Sequence, residues 1–257
     1  MATGDFHTLV VCETFKDQDN ENSVNTNVGD TDIISFGLNQ YGQINGMPSE
    51  KSVLEPRIIP FFIGKSPKIV SACRSRSVCM TEDGKVYEWG FVGSEKRQFN
   101  ILHDFSQTDS EVPVEIIDIK CGLEYTIFLS KNGKVFIIGT ISQVGNIIFE
   151  SEDISELNGQ FGNSEAPDYT PDYAKSFMKS RMQEKGQCED KKQTEIVVAK
   201  IDAGNSHAMF LDTEGAVYVL GAGHYGQLGL GFDTIRVNKP SVLQELNDGF
   251  DKITSIS

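Results

Sequence analysis

The sequence predicts an all-β protein, a β-propeller assembled from repeated four-stranded units, and three observations predict it. One segment recurs four times in phase along the chain. Each copy holds two short apolar runs, joined in three of the four by a turn that ends in glycine. A third run with alternating apolar positions precedes the pair, and a proline-led run returns after it. Recurrence of a small unit means an array of similar elements rather than one large core.

The fullest copy runs from Ala203 to Gly229, as Ala203-Gly204-Asn205-Ser206-His207, an apolar run to Leu211, and the turn Thr213-Glu214-Gly215. Val217-Tyr218-Val219-Leu220-Gly221 follows, and a Gly-rich loop ending Tyr225-Gly226-Gln227-Leu228-Gly229 closes the copy. Gly204 aligns with Gly4 and Gly122, while the copy beginning at Ala72 has Cys73 there. His207 aligns with His7, Arg76 and Tyr125, and a histidine at this position is read as a structural tie to a neighbouring backbone carbonyl. Turn glycines are Gly84, Gly133 and Gly215, and strand-end glycines are Gly37, Gly90, Gly139 and Gly221. Gly42 and Gly226 share a Tyr-Gly-Gln loop. All these glycines are read as structural, through close backbone approach or positive φ.

A glycine in the second loop position makes the paired runs antiparallel hairpins. The preceding runs are Lys68-Ile69-Val70-Ser71-Ala72 and Ile117-Asp118-Ile119-Lys120-Cys121. The returning runs are read at Pro56-Arg57-Ile58-Ile59, Pro113-Val114-Glu115-Ile116 and Pro240-Ser241-Val242-Leu243, and in the third copy at Glu195-Ile196-Val197-Val198. Proline lacks a ladder N–H, which places these runs on sheet edges. Four short strands per period make a propeller blade.

The pattern of Ala-Gly-x-x-His, an apolar strand, Asp/Asn-Gly, Val-Tyr-x-x-Gly and Tyr-Gly-Gln-Leu-Gly resembles the regulator of chromosome condensation repeat. The resemblance implies a seven-bladed propeller, of which about four blades are present here. The chain is read as one partial propeller domain with units at 2–71, 72–120, 121–202 and 203–257. Seven undecorated units need about 350 residues. The expectation is therefore a piece of a longer chain, or else an array completed by a partner or left open, with apolar surface exposed at both ends.

Two insertions interrupt the units, at about 16–31 and 150–193. The first is rich in Asp and Asn with little apolar content and reads as a disordered loop. Its Asp17, Asp19 and Glu21 lack the glycine and terminal glutamate of a calcium loop. In the second, Thr170-Pro171 caps a short amphipathic helix with Tyr173, Phe177 and Met178 on one face.

The formal net charge is −14 with a pI of about 4.7, which repels phosphate backbones, and no Lys/Arg cluster offsets it. Direct nucleic-acid binding is not expected, nor a membrane span. The five cysteines lack metal-site spacing, and Cys73, Cys79 and Cys121 fall in expected strands as buried thiols. A reducing compartment, nuclear or cytoplasmic, fits. No catalytic constellation, cofactor motif or metal set is found, so no bond chemistry is expected.

The resemblance implies a protein-interaction module that holds protein partners on propeller faces and loops. Its alternative is guanine-nucleotide exchange on a Ran-type small GTPase, by stabilising the nucleotide-free state. Partner-binding candidates are residues that do not recur: Ser94, Glu95, Glu152, Asp153 and Glu156. One departure stands out. Exchange factors of this family carry an Arg-Asp pair shortly after the Trp-Gly that matches Trp89-Gly90, whereas Phe91-Val92-Gly93-Ser94-Glu95-Lys96-Arg97 has no aspartate.

Overall fold

The computed structural model describes residues 1–13, 31–48, 50–107, 114–141, 148–153, 196–231, 234–247 and 252–257. The helix expected after Thr170, the Asp-rich loop and Glu156 lie outside these residues. Among the described residues, sixteen strands form four antiparallel sheets, each in plain sequence order. The first holds β1 (Ala2–Thr3), β2 (His7–Glu13), β3 (Thr31–Leu38) and β4 (Ser52–Ile58). The second holds β5 (Pro67–Cys73), β6 (Arg76–Thr81), β7 (Lys85–Val92) and β8 (Glu95–Asp104). In the third are β9 (Ile116–Cys121), β10 (Tyr125–Ser130), β11 (Val135–Thr140) and β12 (Ile148–Asp153). The fourth comprises β13 (Val198–Ala203), β14 (His207–Asp212), β15 (Val217–Ala222) and β16 (Arg236–Val242). A four-residue helix, α1 (Gln244–Asn247), follows it.

The first strands of successive sheets pack side by side, β1 on β5, β5 on β9 and β9 on β13. That is the arrangement of propeller blades around a common axis. The expected hairpins form at the Asp/Asn/Glu-Gly turns, where Gly84, Gly133 and Gly215 all have positive φ. β4 and β16 carry Pro56 and Pro240 on the outer edges of their sheets, as proline without an N–H requires.

Two returning strands differ from expectation. In the second sheet the return is β8, not the run at Pro113; residues 114–115 only lead into β9. The two-residue loop Gly93-Ser94 folds the chain straight back, pairing Val92 with Glu95 and Lys85 with Asp104. In the third sheet the return is β12, which pairs Thr140 with Ile148 and Phe136 with Asp153. The run at Glu195–Val198 instead ends as the entry to β13, the first strand of the next sheet. Each first strand is thus continuous with the run before the Ala-Gly element, so the sheets are offset from the sequence units.

Alternation along each strand sends apolar side chains to both faces, and the core lies between sheets. Leu9 and Ile33 of the first sheet meet Cys79, Tyr87 and Trp89 of the second, with Phe62 between them. Val78, Met80 and Val86 meet Ile119 and Phe128 of the third. Ile127 and Ile137 then face Ile201 and Phe210 of the fourth. Burying each such side chain contributes about 1.5–3 kcal/mol. On the far side of the fourth sheet, Ile253 and Ile256 pack against Val217 and Val219, and Lys200 Nζ donates to the Thr254 carbonyl at 2.8 Å.

Candidate functional site

The position shared by His7, Arg76, Tyr125 and His207 opens the second strand of every sheet. In the first three sheets its side chain reaches into the sheet that follows. His7 Nε2 donates to Ser77 Oγ at 2.8 Å, because the serine proton is already given to the Gln43 carbonyl at 2.8 Å. Trp89 Nε1 donates to the same carbonyl at 2.9 Å, so the second sheet clamps the Tyr-Gly-Gln loop of the first. Burial pushes the His7 imidazole down to about 4, outweighing the opposite pull of Asp5. Tyr125 Oη lies 2.8 Å from the Gly204 carbonyl and 2.5 Å from that of His207. The expectation that the histidine ties a carbonyl is thus met by tyrosine, while His7 takes a hydroxyl.

The glycine three residues earlier exists for this ring. A Cβ on Gly122 would lie 1.9 Å from the Tyr125 ring, and one on Gly4 or Gly204 would strike His7 or His207 equally hard. At the strand ends, Gly90 and Gly139 combine positive φ with close approach to the carbonyls of Ser75 and Glu124.

Arg76 makes the most demanding of these junctions. It is 2% exposed and uses all five N–H donors. Nε and Nη2 donate to Glu88 Oε2 at 3.2 and 2.8 Å. Nη1 donates to the carbonyls of Gly122 at 3.2 Å and Tyr125 at 2.7 Å, and Nη2 also reaches Thr126 Oγ1 at 2.9 Å. Glu88 is 1% exposed, and its other oxygen accepts from Arg97 Nη1. Two arginines therefore share one buried carboxylate, leaving the triad with one net positive charge.

This triad floors a groove of about 580 Å³ between the second and third sheets. Val92, Gly93, Leu102 and Ile138 form its smaller and apolar walls, with Ser94, Glu95 and Glu124 carrying the polar ones. Ser94 and Glu95 are exposed on the β7–β8 hairpin, so the structure brings two of the five candidate residues into one concave site. It does not bring Glu152 and Asp153 there. Their backbone pairs with Ile137 and Phe136, towards the opposite end of the third sheet from Gly139, which borders the groove. Sequence reasoning missed Arg76, Glu88, Arg97 and Glu124. The available signal was a charge at Arg76, where the other copies carry His or Tyr, and a second charge at Glu88 within an apolar strand.

A second open groove, of about 520 Å³, follows the first strands and is lined by Lys68, Asp118, Lys120 and Asp202 among others. Burial raises the Asp118 carboxyl, opposed by Lys120 at 3.8 Å and reinforced by Asp202. Cys12, Cys73, Cys79 and Cys121 are all unpaired, and burial pushes the Cys73 thiol up to about 12. Among the described residues no group of three or more His, Cys, Asp or Glu is placed to hold a metal. No helix among them is long and apolar enough to cross a membrane.

Two family models described as the Regulator of chromosome condensation (RCC1) repeat match residues 214–257 and 198–227. The chain is similar to the Ultraviolet-B receptor UVR8 of Arabidopsis thaliana, at 24% identity over 78% of this chain and 39% of the relative. It is similar to the Regulator of chromosome condensation of Drosophila melanogaster, at 26% identity over 88% of this chain and 47% of the relative. The human Probable E3 ubiquitin-protein ligase HERC4 is 26% identical over 78% of this chain, but only 17% of its own length is covered. The chain thus spans less than half the length of these curated relatives. Among solved structures, human WBSCR16 matches with a TM-score of 0.57 at 18% identity, over 94% of this chain and 53% of that one. Prp20 from yeast, solved with Kap60, matches with a TM-score of 0.53 at 20% identity, over 94% of this chain and 48% of that one. Repeat motif, sheet topology and these likenesses agree that the chain carries regulator of chromosome condensation repeats, matched by the family models over residues 198–257.

Proposed function

We propose that this chain is a protein-interaction module that takes its partner on the loop face, in the groove between the second and third sheets. The observation that carries this reading is the contrast between recurring and unique residues. In the first three sheets the side chain at the recurring position is consumed in a sheet-to-sheet tie, whereas Ser94, Glu95, Arg97 and Glu124 stand open in one concavity. Relatives named as a light receptor, a ubiquitin ligase and a protein kinase all match across most of this chain, which supports a partner-holding role common to them over any one chemistry. Glu152 and Asp153, on the outer strand of the third sheet, form a second proposed contact, with Glu156 as a further candidate by sequence. The proposed compartment is reducing, nuclear or cytoplasmic, and the unpaired thiols support it. Quantitative affinity capture with the wild-type chain, a groove variant (Glu95→Lys with Glu124→Lys) and an outer-edge variant (Leu54→Asp) tests the reading. Partners lost only with the groove variant are expected; a partner set indifferent to the groove overturns it.

A second reading is nucleotide exchange on a Ran-type GTPase, supported by a structural neighbour, Prp20p, whose description concerns its binding to Gsp1p and histones. Exchange would follow from tighter binding of the nucleotide-free state, with no bond chemistry. Release of a fluorescent GDP analogue from the cognate Ran decides it. Acceleration abolished by Glu95→Ala supports exchange; no acceleration removes it.

A further inference from the structure

We propose that Arg97 is the receptor for a single carboxylate of the protein partner, an aspartate, a glutamate or a chain terminus seated in the groove between the second and third sheets. The inference rests on the interaction-module reading and names the chemistry of that partner.

Arg97 is unlike the surface arginines around it. Arg57 and Arg74 pair with Glu50 and Asp5, and in each pair both side chains are about half exposed. Such pairs are mobile and screened. Arg97 is 40% exposed, but its partner Glu88 is 1% exposed and is itself locked by Arg76. The guanidinium is therefore held in place from behind. Arg97 lines the groove, and among the described residues only its Nη1 is bonded to protein, which leaves Nε and Nη2 available to a ligand.

Those donors are presented as a rigid fork, the geometry that accepts a carboxylate through two parallel bonds. Their orientation is set before binding, so little ordering cost remains. Locally the triad carries one net positive charge, which favours an anion at Arg97, while the lining as a whole holds two arginines against three glutamates and so admits little negative charge beyond that. Glu95 and Glu124 on the walls restrict that anion. A run of acidic residues would be repelled, whereas one carboxylate flanked by lysine or arginine satisfies both the fork and the walls.

The test uses the intact chain with arginine Nε–H resonances observed by 15N NMR. Two probes are titrated, acetyl-Lys-Asp-Lys-amide and acetyl-Lys-Asn-Lys-amide. The aspartate peptide is expected to bind about fivefold more tightly than the asparagine peptide, as one exposed charge pair allows. Its largest shift falls at Arg97 rather than at Arg57, Arg74 or Arg236, and the preference disappears in Arg97→Gln. Equal affinity for the two peptides, or equal shifts at all exposed arginines, overturns the proposal. If cellular partners still depend on Glu95 and Glu124 in that case, the module reading stands without this receptor. If they depend on neither, the module reading falls with it.

Discussion

His7 joins the first two sheets as a neutral ring, which makes it a pH-sensitive residue. The unfolded imidazole takes up its proton near pH 6.5, the buried one only near 4, so the unfolded chain binds the extra proton across that window. The contribution is intact above 6.5 and is lost as the pH falls toward 4, by up to about 3 kcal/mol. His103 and His207 are also lowered by burial and act in the same direction. Urea midpoints between pH 7 and 4.5 should fall for the wild type and fall less steeply for His7→Gln. Arg76 gives a sharper test. Arg76→Met leaves Glu88 inside the protein without its main partner, at a cost of about 3–5 kcal/mol. Adding Glu88→Gln should recover part of that loss, since no buried carboxylate held by Arg97 alone remains. A double variant as unstable as the single one would refute the ion-pair explanation.

Among the elements, the β10–β11 and β14–β15 hairpins are each pinned by a polar residue just before the turn. Asp212 Oδ1 accepts from the N–H groups of Glu214, Gly215 and Ala216 at 2.8 to 2.9 Å. Ser130 Oγ accepts from Lys134 N at 3.0 Å at the equivalent place. Asp212→Ala removes three acceptor contacts at once and should lower stability by about 1–3 kcal/mol, read from denaturant midpoints. These hairpins were legible in the sequence because their code is local: a turn glycine at positive φ between two apolar runs. The outer strands were only half legible. Proline marked β4 and β16, but β8 carries none, and its Glu95-Lys96-Arg97 start resembles a solvated loop. Pro113 offered a false landmark ahead of β9. The groove was less legible still. Arg76, Glu88 and Arg97 lie on neighbouring strands of the second sheet, but Thr126 and the Gly122 and Tyr125 carbonyls belong to the third, so only the packing of sheet on sheet completes the cluster.

At the scale of the whole molecule, sheet after sheet repeats one contact scheme, and the exceptions to it are where we propose that a partner is recognised. Tyr41 of the first sheet packs on Phe91 of the second, with ring centroids 4.9 Å apart. Its counterpart Tyr225 in the fourth sheet is 94% exposed. The ties made from the repeat position that His7, Arg76 and Tyr125 share point one way along the chain. His7 waits for Ser77, seventy residues later; Arg76 waits for Thr126, fifty later; Tyr125 waits for His207, eighty-two later. During synthesis, a finished sheet therefore displays an unsatisfied donor until the ribosome has delivered the sheet that accepts it. Protease challenge of ribosome-bound chains should show the second sheet protected only after residue 126 has left the exit tunnel. Protection of that sheet on chains halted before β9 would contradict this order. Each sheet is completed by its successor, and the direction of translation becomes the direction of assembly.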